Sequence, residues 1–139
     1  MFHKDWRLDE LQVFKDYERN GVFMPENTWV FPDKAGNPGI CMFPFDVEIQ
    51  GYYCRGSWSG KQGFMTAFYA NGKLKWFYSR DPVNVDGVTC KDSLFQAIHL
   101  HQNGRLKQCE LDEAATIKGE EYHSGYIIHF DQDGNKLIK

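Results

Sequence analysis

Over most of this chain the apolar residues alternate with polar ones in short stretches punctuated by glycine, the pattern of hairpins. Three phrases carry it most clearly. TAFYANGKLKWF (66–77), IHLHQNGRLKQC (98–109) and IHFDQDGNKLI (128–138) align so that Gly72, Gly104 and Gly134 fall 32 and 30 residues apart. A second phrase precedes each of them, VEIQGYYC (47–54), VNVDGVTC (83–90) and ATIKGEEY (115–122), aligned on Gly51, Gly87 and Gly119. TWVFPDKAGNPGICMF (28–43) reads as a degraded fourth copy with Gly36 in the turn place. A fixed period of this kind sets the architecture before any single element is assigned.

Asn-Gly or Asp-Gly between alternating segments predicts two-residue loops in type I′ turns, whose central residues both take positive φ. With Asn71 and Gly72 as the loop, Tyr69 opposes Leu74, Phe68 opposes Lys75, Ala67 opposes Trp76 and Thr66 opposes Phe77. One face then carries Thr66, Phe68 and Phe77, next Ile98, Leu100, Cys109 and Leu111, and last Ile128, Phe130 and Leu137; this apolar face is the expected core side. The other carries Met65, Tyr69, Trp76 and Tyr78, then His99, His101, Gln108 and Glu110, then His129, Asp131 and Lys136. The register also sets Lys75 and Lys107 on the apolar face, which a three-residue loop with a bulge would relieve.

Ahead of the repeats, DWRLDELQVFKDYERNG sets Leu8, Leu11, Phe14 and Tyr17 on one helical stripe, with Asp5 as N-cap and Gly21 as C′ residue. This predicts a helix of about four turns within residues 1–21. Pro25, Pro32, Pro38 and Pro44 mark residues 22–46 as irregular or edge strands. Residues 47–139 hold three hairpin repeats of about 30–36 residues. The expected fold of the single domain 1–139 is mainly β (α+β): an antiparallel β-meander of repeated hairpins, about seven to nine strands, with one N-terminal α-helix packed on it.

At FYANGKLKWFYS the chain resembles the MORN-type repeats, in the variant found in bacterial antitoxin-like proteins of the YwqK kind. The residues that carry the resemblance are Phe68, Tyr69, Asn71, Gly72, Lys73 and Leu74, then Leu100, Asn103, Gly104, Arg105 and Leu106, then Phe130, Gly134 and Leu137. The period here is longer than the family's. The resemblance implies an open, twisted β-meander and an interaction role, and it brings no catalytic residue with it.

Composition narrows the function classes. The 139 residues are 42% apolar, with 16 Lys plus Arg against 19 Asp plus Glu, and no run of basic residues offers a footprint for nucleic acid or an anionic membrane. No apolar run is long enough to span a bilayer as a helix, and MFHKDWRLDELQ has none of the features of a secretory signal, so a cytoplasmic location is expected. The four cysteines (Cys41, Cys54, Cys90, Cys109) form no CxxC pair; they are expected to be reduced, buried thiols packing as small hydrophobes.

Candidate chemistry is confined to two groups. HLH with HFD brings His99, His101, His129 and Asp131 to one predicted face, and imidazole pairs at i and i+2 on a strand suit a transition metal; against a joint site, a further strand separates the two pairs by about 9 to 10 Å. Trp58, Tyr69, Trp76 and Tyr78 lie on or near the face away from the core, where grouped aromatics mark recognition surfaces, unless the N-terminal helix covers them. GSWSGKQG (56–63) lacks P-loop spacing and reads as a flexible loop. Neither a GxSxG elbow nor a cysteine-protease signature is present. The favoured reading is a non-catalytic interaction or structural module, without cofactor, whose partner is a protein. The runner-up is a small metal-dependent or acid/base enzyme on the histidine face, and the third is glycan binding by Trp58, Trp76 and Tyr78.

Overall fold

A computed structural model describes residues 11–137. Eight strands form one antiparallel sheet: β1 (Leu11–Gln12), β4 (Trp29–Pro32), β5 (Pro38–Met42), β10 (Thr66–Phe68), β11 (Leu74–Phe77), β14 (Ile98–Leu100), β15 (Leu106–Glu110) and β18 (Ile127–His129), neighbours in that order. The segments between them make five two-stranded ribbons: β2 (Tyr17–Arg19) with β3 (Val22–Met24), β6 (Val47–Ile49) with β7 (Tyr52–Cys54), β8 (Ser57–Ser59) with β9 (Gln62–Gly63), β12 (Val83–Val85) with β13 (Val88–Cys90), and β16 (Ala115–Ile117) with β17 (Glu120–Tyr122). Four of these ribbons lie over one face of the sheet. Val22, Met24, Cys54, Val85, Val88 and Cys90 from the ribbons share a core with Val30, Cys41, Phe77, Ile98, Leu106 and Ile128 from the sheet.

Two kinds of turn repeat through the chain, and each has its own cause. In the ribbons, Asn20–Gly21, Gln50–Gly51, Asp86–Gly87 and Lys118–Gly119 all have positive φ at both central residues, which is the type I′ turn. In the sheet hairpins only the glycine is left-handed: Gly72 has φ 86°, Gly104 has 89°, Gly134 has 91° and Gly36 has 84°, while Asn71 and Asn103 are not. Gly72 N donates to Tyr69 O and Tyr69 N to Lys73 O, a pattern recurring at His101–Arg105, Asp131–Asn135 and Asp33–Asn37. These are type I turns closed by a left-handed glycine and followed by a bulge. The expected type I′ geometry at Asn71–Gly72 is therefore corrected, because the Asn71 side chain accepts from Lys73 N at 3.0 Å and Asn103 from Arg105 N at 3.0 Å, holding the three-residue loop. The same pattern at Gly36 makes residues 28–43 a full fourth copy.

The bulge settles the lysine problem. Ala67 pairs with Trp76 and Phe68 with Leu74, and His99 pairs with Gln108 and Leu100 with Leu106, so Lys75 and Lys107 are the extra residues and both are exposed. Leu74 and Leu106 enter the core instead, each 1% exposed. Of the expected core face, Thr66, Phe68, Phe77, Ile98, Leu100, Cys109, Leu111, Ile128 and Phe130 are all buried, whereas Leu137 is only partly so. Cys41, Cys54, Cys90 and Cys109 are free and fully buried.

The predicted helix does not form over residues 11–21; its first half, with Asp5 and Leu8, lies outside the described residues. Leu11 pairs with Val30 in the sheet, Tyr17 pairs with Met24, and Gly21 closes the ribbon between them. Leu11 and Val13 pack against the core at a period of two, leaving Phe14 83% exposed. The left-handed Asn20–Gly21 pair favours reversal of the chain, and β4 offers Leu11 a partner that an isolated helical stripe lacks. Residues 22–46 are likewise regular: β4 lies inside the sheet between β1 and β5, and Pro32 and Pro38 face each other where pairing ends. Among the described residues no helix is long and apolar enough to cross a membrane.

Candidate recognition face

The sheet face turned away from the four ribbons carries one aligned row. Phe31, Ile40, Ala67, Trp76, His99, Gln108 and His129 come from successive strands, each paired with the next. Side chains aligned across strands lie close enough to interact, and with adjacent rows they form a continuous surface.

The fifth ribbon completes this surface. It is inserted only between β7 and β10, which is why Gly36 and Gly72 stand 36 residues apart while the later turn glycines stand 32 and 30 apart. The GSWSGKQG segment is thus the β8–β9 hairpin and not a flexible loop. Two of its glycines are required by space: a Cβ at Gly56 would lie 2.2 Å from Phe45 O, and one at Gly63 would lie 2.4 Å from Ser57 Cα. The hairpin and the residue after it bring a run of rings onto the sheet. Trp58 meets Phe64 edge-on at 5.5 Å, Phe64 tilts on Tyr78 at 5.0 Å, Tyr78 meets Trp76 edge-on at 6.3 Å, and Trp76 lies 6.4 Å from the His99 ring. These are the separations at which ring quadrupoles attract. Trp58 is 67% exposed, and the other four rings are partly buried.

Cations border the run. The Arg55 guanidinium lies 5.6 Å from the Phe64 ring centre, Lys61 Nζ stands 4.8 Å over Trp29 and Lys75 Nζ 5.4 Å over Tyr69. Arg55 is fixed further by its Nε donating to Ser79 O at 3.0 Å. At the other end, burial and the nearby positive charge of Lys107, His129 and Lys75 hold the His99 imidazole below its ordinary pKa. Desolvation and like charge both disfavour the imidazolium and favour the neutral ring.

The residues expected to form sites divide by position. Trp58, Trp76 and Tyr78 belong to the ring run. Tyr69 does not: it starts a sheet turn, and its hydroxyl donates to Leu100 O at 2.7 Å. His101 holds the same turn place one copy later, its Nε2 lying 2.8 Å from Phe130 O. Both side chains fasten one hairpin to the next. Asp131, third in this series, turns inward on its own loop and accepts from Asp133 N at 2.9 Å and Asn135 N at 2.8 Å. These backbone donors, Asn135 first, hold its carboxyl below the usual carboxylate range. His99 and His129 remain in one row with Gln108 between them. Among the described residues no group of three or more His, Cys, Asp or Glu is placed to hold a metal ion.

Sequence reasoning missed Phe64, Trp29, Arg55 and Lys61. The one signal available was the longer glycine spacing across residues 36–72, which marks an insertion that has to be accommodated somewhere on the sheet. No family model, curated protein or solved structure matches the chain.

Proposed function

We propose that this chain is a non-catalytic interaction module, built from MORN-like hairpin repeats, which binds a protein partner on the sheet face turned away from the ribbons. The observation that supports this reading is the ring run from Trp58 through Phe64, Tyr78 and Trp76 to His99, bordered by Arg55, Lys61 and Lys75. Aromatic residues and arginine contribute most binding energy per residue at protein interfaces. Their rings pack on one another beforehand, so little rotamer freedom is left to lose on binding.

The test is reconstitution. A partner that co-purifies with the wild-type chain is purified separately and titrated against wild type and against W58A and W76A. Each substitution is expected to weaken binding by about 2 kcal/mol while the thermal midpoint of the free protein changes little for the exposed Trp58. Unchanged affinity in both variants overturns the reading. Stoichiometric zinc or iron that is lost on mutating His99 would favour an enzyme, and tryptophan fluorescence that saturates with a sugar would favour a glycan-binding module.

A further inference from the structure

The ribbons leave an interval between each pair, and the three intervals are closed differently. Between β2–β3 and β6–β7 the backbone itself closes in: a Cβ on Gly72 would stand 2.2 Å from Asn20 O, and Asn20 Nδ2 donates to Ala70 O at 2.7 Å. In the next interval a ring does the work. Tyr52, the first residue after the turn glycine Gly51, is half-buried with its ring 5.1 Å from the Phe77 ring; burial, followed by the charge of Asp86 on the next ribbon, raises its pKa.

The third interval, between β12–β13 and β16–β17, lacks both devices. The residue after the turn glycine Gly87 is Val88, and where Phe77 stood there is Cys109. A cavity of about 490 Å³ occupies the place. Val88, Leu106, Ile117 and Phe130 give it apolar walls, Arg105 and Lys118 bring two cations to it, and the one carboxylate in its lining, Asp86, is engaged by Leu106 N, which donates to Asp86 Oδ2 at 2.8 Å. Both cations are held by the neighbouring turn: Arg105 Nη1 donates to Asp133 O at 2.7 Å and lies against Gly134, and Lys118 Nζ stands 3.4 Å from Asn135 Oδ1. The volume lies within the range of small-molecule sites, which combine apolar walls with a few fixed polar groups.

We propose that this cavity binds a compact aromatic acid, its ring lying where the Tyr52 ring lies in the preceding interval and its carboxylate meeting Arg105 and Lys118. The chain supplies the template for the ring, since the same backbone plan accepts a phenol side chain one repeat earlier. The two cations supply the preference for an acid over a neutral phenol.

The probes are 4-hydroxyphenylacetate and its uncharged counterpart p-cresol, titrated into the intact chain while the methyl resonances of Val88, Ile117 and Leu106 are followed by NMR. Saturable shifts at these methyls are expected with the acid, and weaker ones with p-cresol. V88Y supplies the missing ring from within and should abolish both. K118E, on the surface and away from the core, should weaken the acid about two- to fivefold, the scale of an exposed ion pair, and leave p-cresol unchanged, so the proposal stays testable if V88Y fails to fold. Absence of saturable shifts in the wild type, shifts that survive in folded V88Y, or an equal loss of both probes in K118E would overturn it.

Discussion

The unit running from Val47 to Phe77 and the one from Val83 to Glu110 share a backbone plan and differ in what fills it. Each opens with a type I′ ribbon, and in each the first turn residue reaches the following sheet hairpin: Gln50 Oε1 accepts from Leu74 N at 3.0 Å and Asp86 Oδ2 from Leu106 N at 2.8 Å. The first unit then packs Tyr52 on Phe77, while the second places Val88 and Cys109 at those positions. Hydrogen bonding with Cys109, and burial after it, push the Cys90 thiol up, as burial pushes Cys41 and Cys54 up to about 12. Cys41, Cys54 and Cys90 therefore stay protonated and pack as small apolar groups. The difference teaches that turn geometry and backbone wiring specify this fold, and that the filling between repeats is free to vary, leaving one interval full and the next open.

Removing the filling from each unit in turn should affect the two very differently. Phe77 is fully buried against Tyr52, so Phe77→Ala should cost about 3–5 kcal/mol by lost transfer energy and an unfilled cavity. Cys109→Ala, at the equivalent buried position, should cost only about 1 kcal/mol, the scale of one buried methylene. Urea denaturation midpoints of the two variants test this, and equal losses would mean that the two positions are not structural equivalents.

A second pair sharpens the contrast between the turns. Gly72 and Gly104 have nearly the same left-handed φ, 86° and 89°, but a Cβ at Gly104 meets nothing within 4 Å whereas one at Gly72 runs into the Asn20 carbonyl. Gly104→Ala should therefore cost only the backbone strain, about 1–2 kcal/mol. Gly72→Ala adds a collision with backbone that cannot rotate away and should cost about 3 kcal/mol or more. A Gly72 variant no less stable than its Gly104 counterpart would remove the docking of the first ribbon on this turn.

The repeat and its buried face were legible because alternation and turn glycines are local. Phe68, Leu100 and Phe130 recur at one distance before Gly72, Gly104 and Gly134, and all are buried. What was lost depended on groups that sequence spacing does not weigh. The Asn-Gly dipeptide reads as type I′, yet the Asn71 side chain bonds Lys73 N and selects the other turn, and that single choice moves Leu74 into the core and Lys75 out of it. Leu11, Phe14 and Tyr17 have helical spacing, but β4 supplies Leu11 with a partner in the sheet, a long-range term that overrides a local pattern. Of the candidate site, alternation put Trp76 and Tyr78 on one face, whereas Trp58 sat in a segment that read as a flexible loop, and it, Phe64 and Arg55 meet the sheet rings through an inserted hairpin.

The smallest expected effect concerns the open face of the second unit, where His99 stands beside Trp76 of the first. Burial, followed by Lys107, His129 and Lys75, lowers the His99 pKa from its ordinary 6.5. In the unfolded chain the imidazole takes up its proton near that ordinary value; in the folded chain it does so only at lower pH. The unfolded state thus binds more protons between the two values, and stability attributable to His99 is present above pH 6.5 and lost as the pH falls through that window. His99→Gln keeps a polar group in the row but cannot titrate there. Denaturation midpoints measured across this range should fall less steeply with acid in His99→Gln than in the wild type. Identical slopes would mean that neither burial nor the charges of Lys107, His129 and Lys75 lower the affinity of this ring for a proton.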